Sequence, residues 1–129
     1  MMAEIPQNFK YTKDHEWLMP ESDGCALIGI TDYAQKSLGD ITFIEMPAVG
    51  DYFSAGDAFG VVDSVKAASD LYMPVDGEVI AVNAAIEAEP EKVNNDPYSA
   101  GWLIKIKFKE QKQIDDLLSA ASYQKILQD

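Results

Sequence analysis

Short runs of alternating apolar and polar residues, separated by Gly, Pro and Asp, follow one another along most of this chain. That is the pattern of half-buried strands joined by turns. A first hairpin is predicted from residues 11–19 and 25–30, with residues 20–24 turning between them. Thr31 suits a helix N-cap, Asp32 the positive end of a helix and Gly39 a helix stop, so residues 31–38 are predicted as a short helix. Further strands are predicted at residues 41–46, 59–63, 69–73, 78–83 and 102–108. Residues 47–51 form a turn, and residues 84–89 a helical turn that Pro90 ends. In residues 110–127, Ile114, Leu117, Leu118, Ala121 and Ile126 recur near helical spacing, which predicts one amphipathic helix packed on the sheet.

Two stretches echo each other weakly. Residues 39–45 and 76–83 each place a turn before a β run, on either side of the hairpin that carries Lys66. Two such half-sheets must close on one another to bury their apolar faces, so the expected fold is mainly β with short helices, a small flattened barrel or sandwich. At 129 residues the chain is expected to form one domain, residues 1–129, with an N-terminal hairpin and a C-terminal helix.

Charge narrows the choice of partners. Ten Lys plus Arg against 22 Asp plus Glu give a formal net charge of −12, which repels phosphate backbones and anionic lipid, so no nucleic acid and no membrane partner is expected. A strongly acidic protein is drawn instead to basic patches on other proteins, where small contacts release quickly. Cys25 stands alone, so an intrachain disulfide is impossible; it follows the turn dipeptide Asp23-Gly24 and reads as a small packed thiol at a strand start. The N-terminus lacks signal or transit character and no apolar run approaches the ~20 residues that span a bilayer, which points to the cytoplasm.

His15 is the sole histidine and no nucleophile elbow, phosphate-cradling loop or nitrogen–sulfur metal set is present, so a stand-alone enzyme has little support. One feature stands out. Lys66 lies between two strongly apolar strand segments with only Ala67 and Ala68 after it, where a modifying enzyme can reach the amine. On spacing alone it is either such an acceptor or a solvated turn lysine.

The segment Asp63-Ser64-Val65-Lys66-Ala67-Ala68-Ser69-Asp70, with Pro74 and then Gly77-Glu78-Val79-Ile80-Ala81-Val82-Asn83, closely resembles the lipoylation segment of the glycine cleavage system H protein. Further matches to that family follow in order: Lys10-Tyr11, His15-Glu16-Trp17, Gly29-Ile30-Thr31-Asp32, Gly39-Asp40, Val93-Asn94, Pro97-Tyr98, Gly101-Trp102 and Lys105-Ile106. Biotinyl carriers usually flank their lysine with methionines, whereas Lys66 has Val65 and Ala67. Lipoyl domains of 2-oxo acid dehydrogenase acyltransferases usually place Asp before the lysine and belong to longer chains. Two departures from the H-protein pattern stand out: Asp63 where Glu is commoner, and Tyr33 where His is frequent.

The resemblance implies a barrel-sandwich hybrid of two small antiparallel sheets, with the lipoyl lysine at a hairpin tip. It implies lipoate joined to Lys66 by a lipoate ligase or octanoyltransferase, and a monomeric, non-catalytic carrier. Its partners would be a pyridoxal-phosphate glycine decarboxylase, a tetrahydrofolate-dependent aminomethyltransferase and dihydrolipoyl dehydrogenase. Glu16 is the implied contact for the ammonium of the loaded arm, or else a wet strand carboxylate. Asp70 is the second implied contact; with Asp63 it reads equally as a recognition point for partner enzymes. Trp17 and Trp102 read as core or interface bulk. Two other roles stay open: an H-like protein donating lipoate in a relay, or an unmodified interaction module.

Overall fold

The computed structural model describes residues 4–128. Lys10–Tyr11 (β1) and Glu16–Pro20 (β2) pair antiparallel, with Tyr11 opposite Trp17. The single strand expected over residues 11–19 is therefore two strands. Thr12 breaks it: its hydroxyl donates to the Glu16 carboxylate at 2.6 Å and accepts the amides of Asp14 and Glu16, folding the chain back at His15, whose φ is 70°. Asp23 and Gly24, at φ 63° and 75°, then turn the chain into Cys25–Ile30 (β3), the pair of left-handed residues that a tight hairpin demands. Cys25 is half-buried at the start of that strand.

Thr31 caps Asp32–Leu38 (α1), its side chain accepting the Ala34 amide, and Gly39 ends it. There follow Ile41–Glu45 (β4), Tyr52–Phe53 (β5), Ala58–Ser64 (β6), Ala68–Tyr72 (β7), Gly77–Val82 (β8), Ala84–Ala88 (α2), Lys92–Asn95 (α3) and Ile104–Phe108 (β9). Asn83 caps α2 by accepting the Ala85 amide. The two-residue β5 and the single turn of α3 have no counterpart in the sequence pattern, being too short for a period to show.

All pairings are antiparallel. One sheet runs β1-β2-β3-β9-β8-β5 and the other β4-β6-β7; neither closes on itself. The echoing runs, β4 and β8, lie one in each sheet. Between the sheets sits the main core, where Leu18, Ile28, Val79, Ile104 and Ile106 of the larger sheet meet Ile44, Phe59, Val62 and Leu71 of the smaller. In β3 and β9 the core residues alternate because successive side chains point to opposite faces, whereas in β4 and β6 a register shift separates Ile41 from Ile44 and Phe59 from Val62 by three.

A second cluster of Phe9, Tyr11, Trp17, Ala120 and Tyr123 is separate from this core. Tyr11 and Tyr123 stack at 4.7 Å and 7°. Trp17 lies over Gly29, where an added Cβ would come within 2.6 Å of the indole, and its Nε1 donates to the Pro97 carbonyl. Trp17 and Trp102 are thus packing residues of this cluster. The C-terminal helix expected over residues 110–127 is two helices, Gln111–Asp115 (α4) and Ala120–Gln128 (α5). Leu118 exchanges backbone hydrogen bonds with Tyr11 at 2.9 Å in both directions, which takes it out of helical pairing. The break resets the phase, so α5 buries Ala120 and Tyr123 while Ala121 and Ile126 face solvent.

Candidate functional site

Lys66 occupies the tip of the β6–β7 hairpin, three residues past the last strand pair, Asp63 opposite Ala68. Ser64 builds the turn. Its amide donates to the Ala67 carbonyl at 2.8 Å, its hydroxyl donates to the same carbonyl, and that hydroxyl accepts the amides of Lys66 and Ala67. A serine side chain standing in for backbone in this way is a favoured turn device. The amides of Ser64, Lys66 and Ala67 and the Ala67 carbonyl are therefore paired within the turn, while the side chains of residues 65–70 are exposed. Among the described residues the Lys66 ammonium makes no ion pair.

The tip leans on the end of α1. Val65 donates its amide to the Asp40 carbonyl at 3.0 Å, and the aliphatic stem of Lys66 lies over Gly39, where an added Cβ would sit 3.4 Å from Cε. Gly39 takes φ 76° and ψ −154°, a region essentially restricted to glycine.

Glu16 is buried, with 2% of its surface exposed, and so is not the wet strand carboxylate that the sequence left open. One carboxylate oxygen accepts the Thr12 hydroxyl, and the other accepts the amide of Tyr72 at 3.2 Å. It thus links β2 of the larger sheet to β7 of the smaller. Burial pushes the carboxyl up to about 7, against the lowering effect of the Thr12 hydroxyl and the Tyr72 amide. An ionised carboxylate has about four acceptor positions, and two hydrogen bonds are made to this one.

Asp70 lies on the same strand as Tyr72, whose hydroxyl is 3.5 Å from the Asp70 carboxylate, so Tyr72 joins the two acids through its backbone and its ring. Directly paired residues share a face, which puts Asp70, Val61 and Glu45 together, and likewise Ala68, Asp63 and Phe43. The outer face of the small sheet therefore presents exposed Phe43 and Tyr72 among carboxylates. An apolar surface rimmed by one sign of charge is suited to a basic, partly apolar partner.

A sequence model of the glycine cleavage H-protein family matches residues 9–129. The chain belongs to this family. It is 52% identical over 128 residues to the glycine cleavage system H protein of Carboxydothermus hydrogenoformans, covering 99% of this chain and 98% of that one. It is 53% identical over 126 residues to that of Opitutus terrae, covering 98% and 99%. The crystal structure of a glycine cleavage system H protein from Mycobacterium marinum matches with a TM-score of 0.88 at 38% identity, over 97% of this chain and all of the other. This H-family chain is accordingly the lipoyl carrier component of a glycine cleavage system.

Where the family often has His, Tyr33 lies against the ring of His15, with centroids 4.7 Å apart. The His15 ring nitrogen Nδ1 is 2.8 Å from the Tyr123 hydroxyl, which is also 2.7 Å from the Thr31 hydroxyl. Burial lowers the pKa of this imidazole, against the raising effect of Asp14, and burial pushes the Tyr123 phenol up to about 12. His15 is thus engaged in holding the 12–16 turn to α1 and α5. Among the described residues no group of three or more His, Cys, Asp or Glu could hold a metal ion, and no helix is long and apolar enough to cross a membrane. Thr12 and Tyr72, the partners of Glu16, escaped the sequence reading; Thr12 had a signal, since a threonine four residues before a glutamate can close a turn on it.

Proposed function

We propose that Lys66 carries lipoate in amide linkage and that residues 1–129 act as one monomeric carrier domain that makes and breaks no bonds itself. The observation that carries this reading is the exposed Lys66 side chain, without an ion pair among the described residues, on a hairpin turn that its own Ser64 closes. Lys66 would hold the group, which would supply a disulfide on a swinging arm: its S–S bond could open to take an aminomethyl carbon on one sulfur, the C–S bond would break when that carbon passes to an acceptor, and the dithiol left behind could be reoxidised by thiol–disulfide exchange. Reducing cytoplasm suits that exchange, and Cys25, half-buried and alone, offers no competing partner.

Glu16 and Asp70 hold the loaded end. An extended lipoyl-lysine reaches about 15 Å by its bond lengths, and Tyr72 lies four residues, about 13 Å, along the strand from Ala68. The buried Glu16 carboxyl lies there and gains its negative charge when an ammonium arrives, as an adjacent cation favours ionisation. Charge-assisted hydrogen bonds of this kind are the strong ones. Asp70, exposed beside Tyr72, receives the arm at the entrance and offers a carboxylate to basic partners. Those partners are the pyridoxal-phosphate glycine decarboxylase, the tetrahydrofolate-dependent aminomethyltransferase, dihydrolipoyl dehydrogenase and a lipoate ligase or octanoyltransferase.

A direct test mixes the chain with glycine decarboxylase, pyridoxal phosphate and carboxyl-labelled glycine. The lipoylated form is expected to support release of labelled carbon dioxide and the unmodified form to leave it at background; equal release from both would remove the arm from the reaction.

A further inference from the structure

We propose that Asn94 is a positioning residue that aims the Lys66 hairpin at the enzyme that lipoylates it. The proposal rests on the lipoyl reading of Lys66 and adds how the chain presents that lysine.

The hairpin tip has no apolar anchor of its own. Val65 is 67% exposed and the side chains on to Asp70 are exposed as well. Among the described residues, the one hydrogen bond that reaches residues 65–67 from outside the hairpin is that from the Val65 amide to the Asp40 carbonyl. The aim of Lys66 therefore depends on how firmly residues 39–41 are held. Asn94, on α3, holds them with a nearly saturated side chain. Its Nδ2 donates to the Gly39 carbonyl at 2.8 Å and to the Gln35 Oε1 at 3.0 Å, and its Oδ1 accepts the Ile41 amide at 3.0 Å. Gln35 is fixed in turn by donating to Asp32 at 2.7 Å. One amide thus clamps both sides of Asp40, whose carbonyl holds the tip, and sets Gly39 beneath the Lys66 stem. The side-chain amide fits this position because it donates twice and accepts once, whereas a hydroxyl or a neutral imidazole has a single donor. Aspartate would keep an acceptor for Ile41 but set a carboxylate against the Gly39 carbonyl and the Gln35 oxygen.

The step affected is acyl transfer. ATP and lipoate give lipoyl adenylate and pyrophosphate on the ligase; the deprotonated Lys66 amine attacks the acyl carbon, the bond to phosphate oxygen breaks, AMP leaves and the amine's surplus proton passes to solvent. A reacting atom misplaced by about 1 Å can cost a hundredfold in such a step.

The experiment compares wild type, Asn94→Ala, Asn94→Asp and Val93→Ala as substrates of a lipoate ligase with lipoate and ATP, read by intact mass at a temperature where each is folded. Val93, fully buried on the same helix, is the control for stability lost without loss of the clamp. Asn94→Ala and Asn94→Asp are expected to lower kcat/KM for lipoylation at least fivefold and to increase the amide mobility of residues 65–67 in 15N relaxation, while Val93→Ala stays within twofold on both readouts. If Asn94→Ala fails to fold, Asn94→Asp carries the same test. Asn94 variants within twofold of wild type, or an equal loss in Val93→Ala, would overturn the proposal. Absence of lipoylation in the wild type would be a failure of the Lys66 reading instead, so the two failures are distinguishable.

Discussion

Lys66→Ala is expected to abolish lipoate incorporation and bring glycine decarboxylation to background, with the melting temperature within about 2 °C of wild type. The exposed tip makes few contacts for the side chain to lose, and surface changes of this kind stay within about 0.5 kcal/mol. Lys66→Arg is expected to fail equally, because a guanidinium keeps its proton and offers no free amine for acylation. Differential scanning calorimetry and labelled carbon dioxide release check the two halves of this result. Decarboxylation surviving in either variant would move the arm to another residue.

The second large effect is at Glu16. In Glu16→Ala, lipoylation is expected to proceed normally while the aminomethyl-loaded carrier loses its group to hydrolysis about tenfold faster or more. A charge-assisted hydrogen bond contributes about 1.5–3 kcal/mol, and about 1.4 kcal/mol is a factor of ten. The lifetime of the loaded form by mass spectrometry decides; an unchanged lifetime takes Glu16 out of the mechanism. The same residue sets a pH dependence. Its carboxyl titrates near 7 when folded and near 4.5 otherwise, so between those values the folded protein binds more protons than the unfolded chain. Stability therefore falls as pH rises through that window, by on the order of 3 kcal/mol, and the loss is complete above it. Urea titrations at pH 5 and pH 8 are expected to show this difference in wild type and to lose most of it in Glu16→Gln. An equal difference in both would place the titration elsewhere.

Both large effects meet in one arrangement: a lysine free to move at a tip, and an acid fixed where two sheets meet. β7 joins them, since it begins just past Lys66 and its Tyr72 amide holds Glu16. On the proposed reading, a hairpin that supplies both the attachment point and the strand beside the acid would let one local structure present the arm to partners and shelter its cargo between visits.

Features set by neighbouring residues were legible in the sequence. Thr31 and Gly39 bound α1 because a cap and a left-handed stop act within one turn, and Asp23-Gly24 marks its hairpin for the same reason. Lys66 at a hairpin tip was legible from the flanking β runs; the lipoyl role proposed for it rests on the ordered matches to the H-protein family. What depends on distant pairing was not legible. Glu16 reads as a polar strand residue; only the approach of β2 to β7 buries it and raises its pKa. Helical spacing continues through residues 116–119, yet the Leu118 pairing with Tyr11 wins and splits the C-terminal helix. Asn94 lies 55 residues from the Gly39 carbonyl it holds, a contact no local period can announce.

Whether Lys66 is the lipoyl lysine is decided by intact and peptide mass spectrometry after incubation with lipoate, ATP and a lipoate ligase. A single lipoyl addition is expected, confined to the peptide containing Lys66. No addition in the presence of a ligase active on another carrier, or an addition mapped to a different lysine, would contradict it.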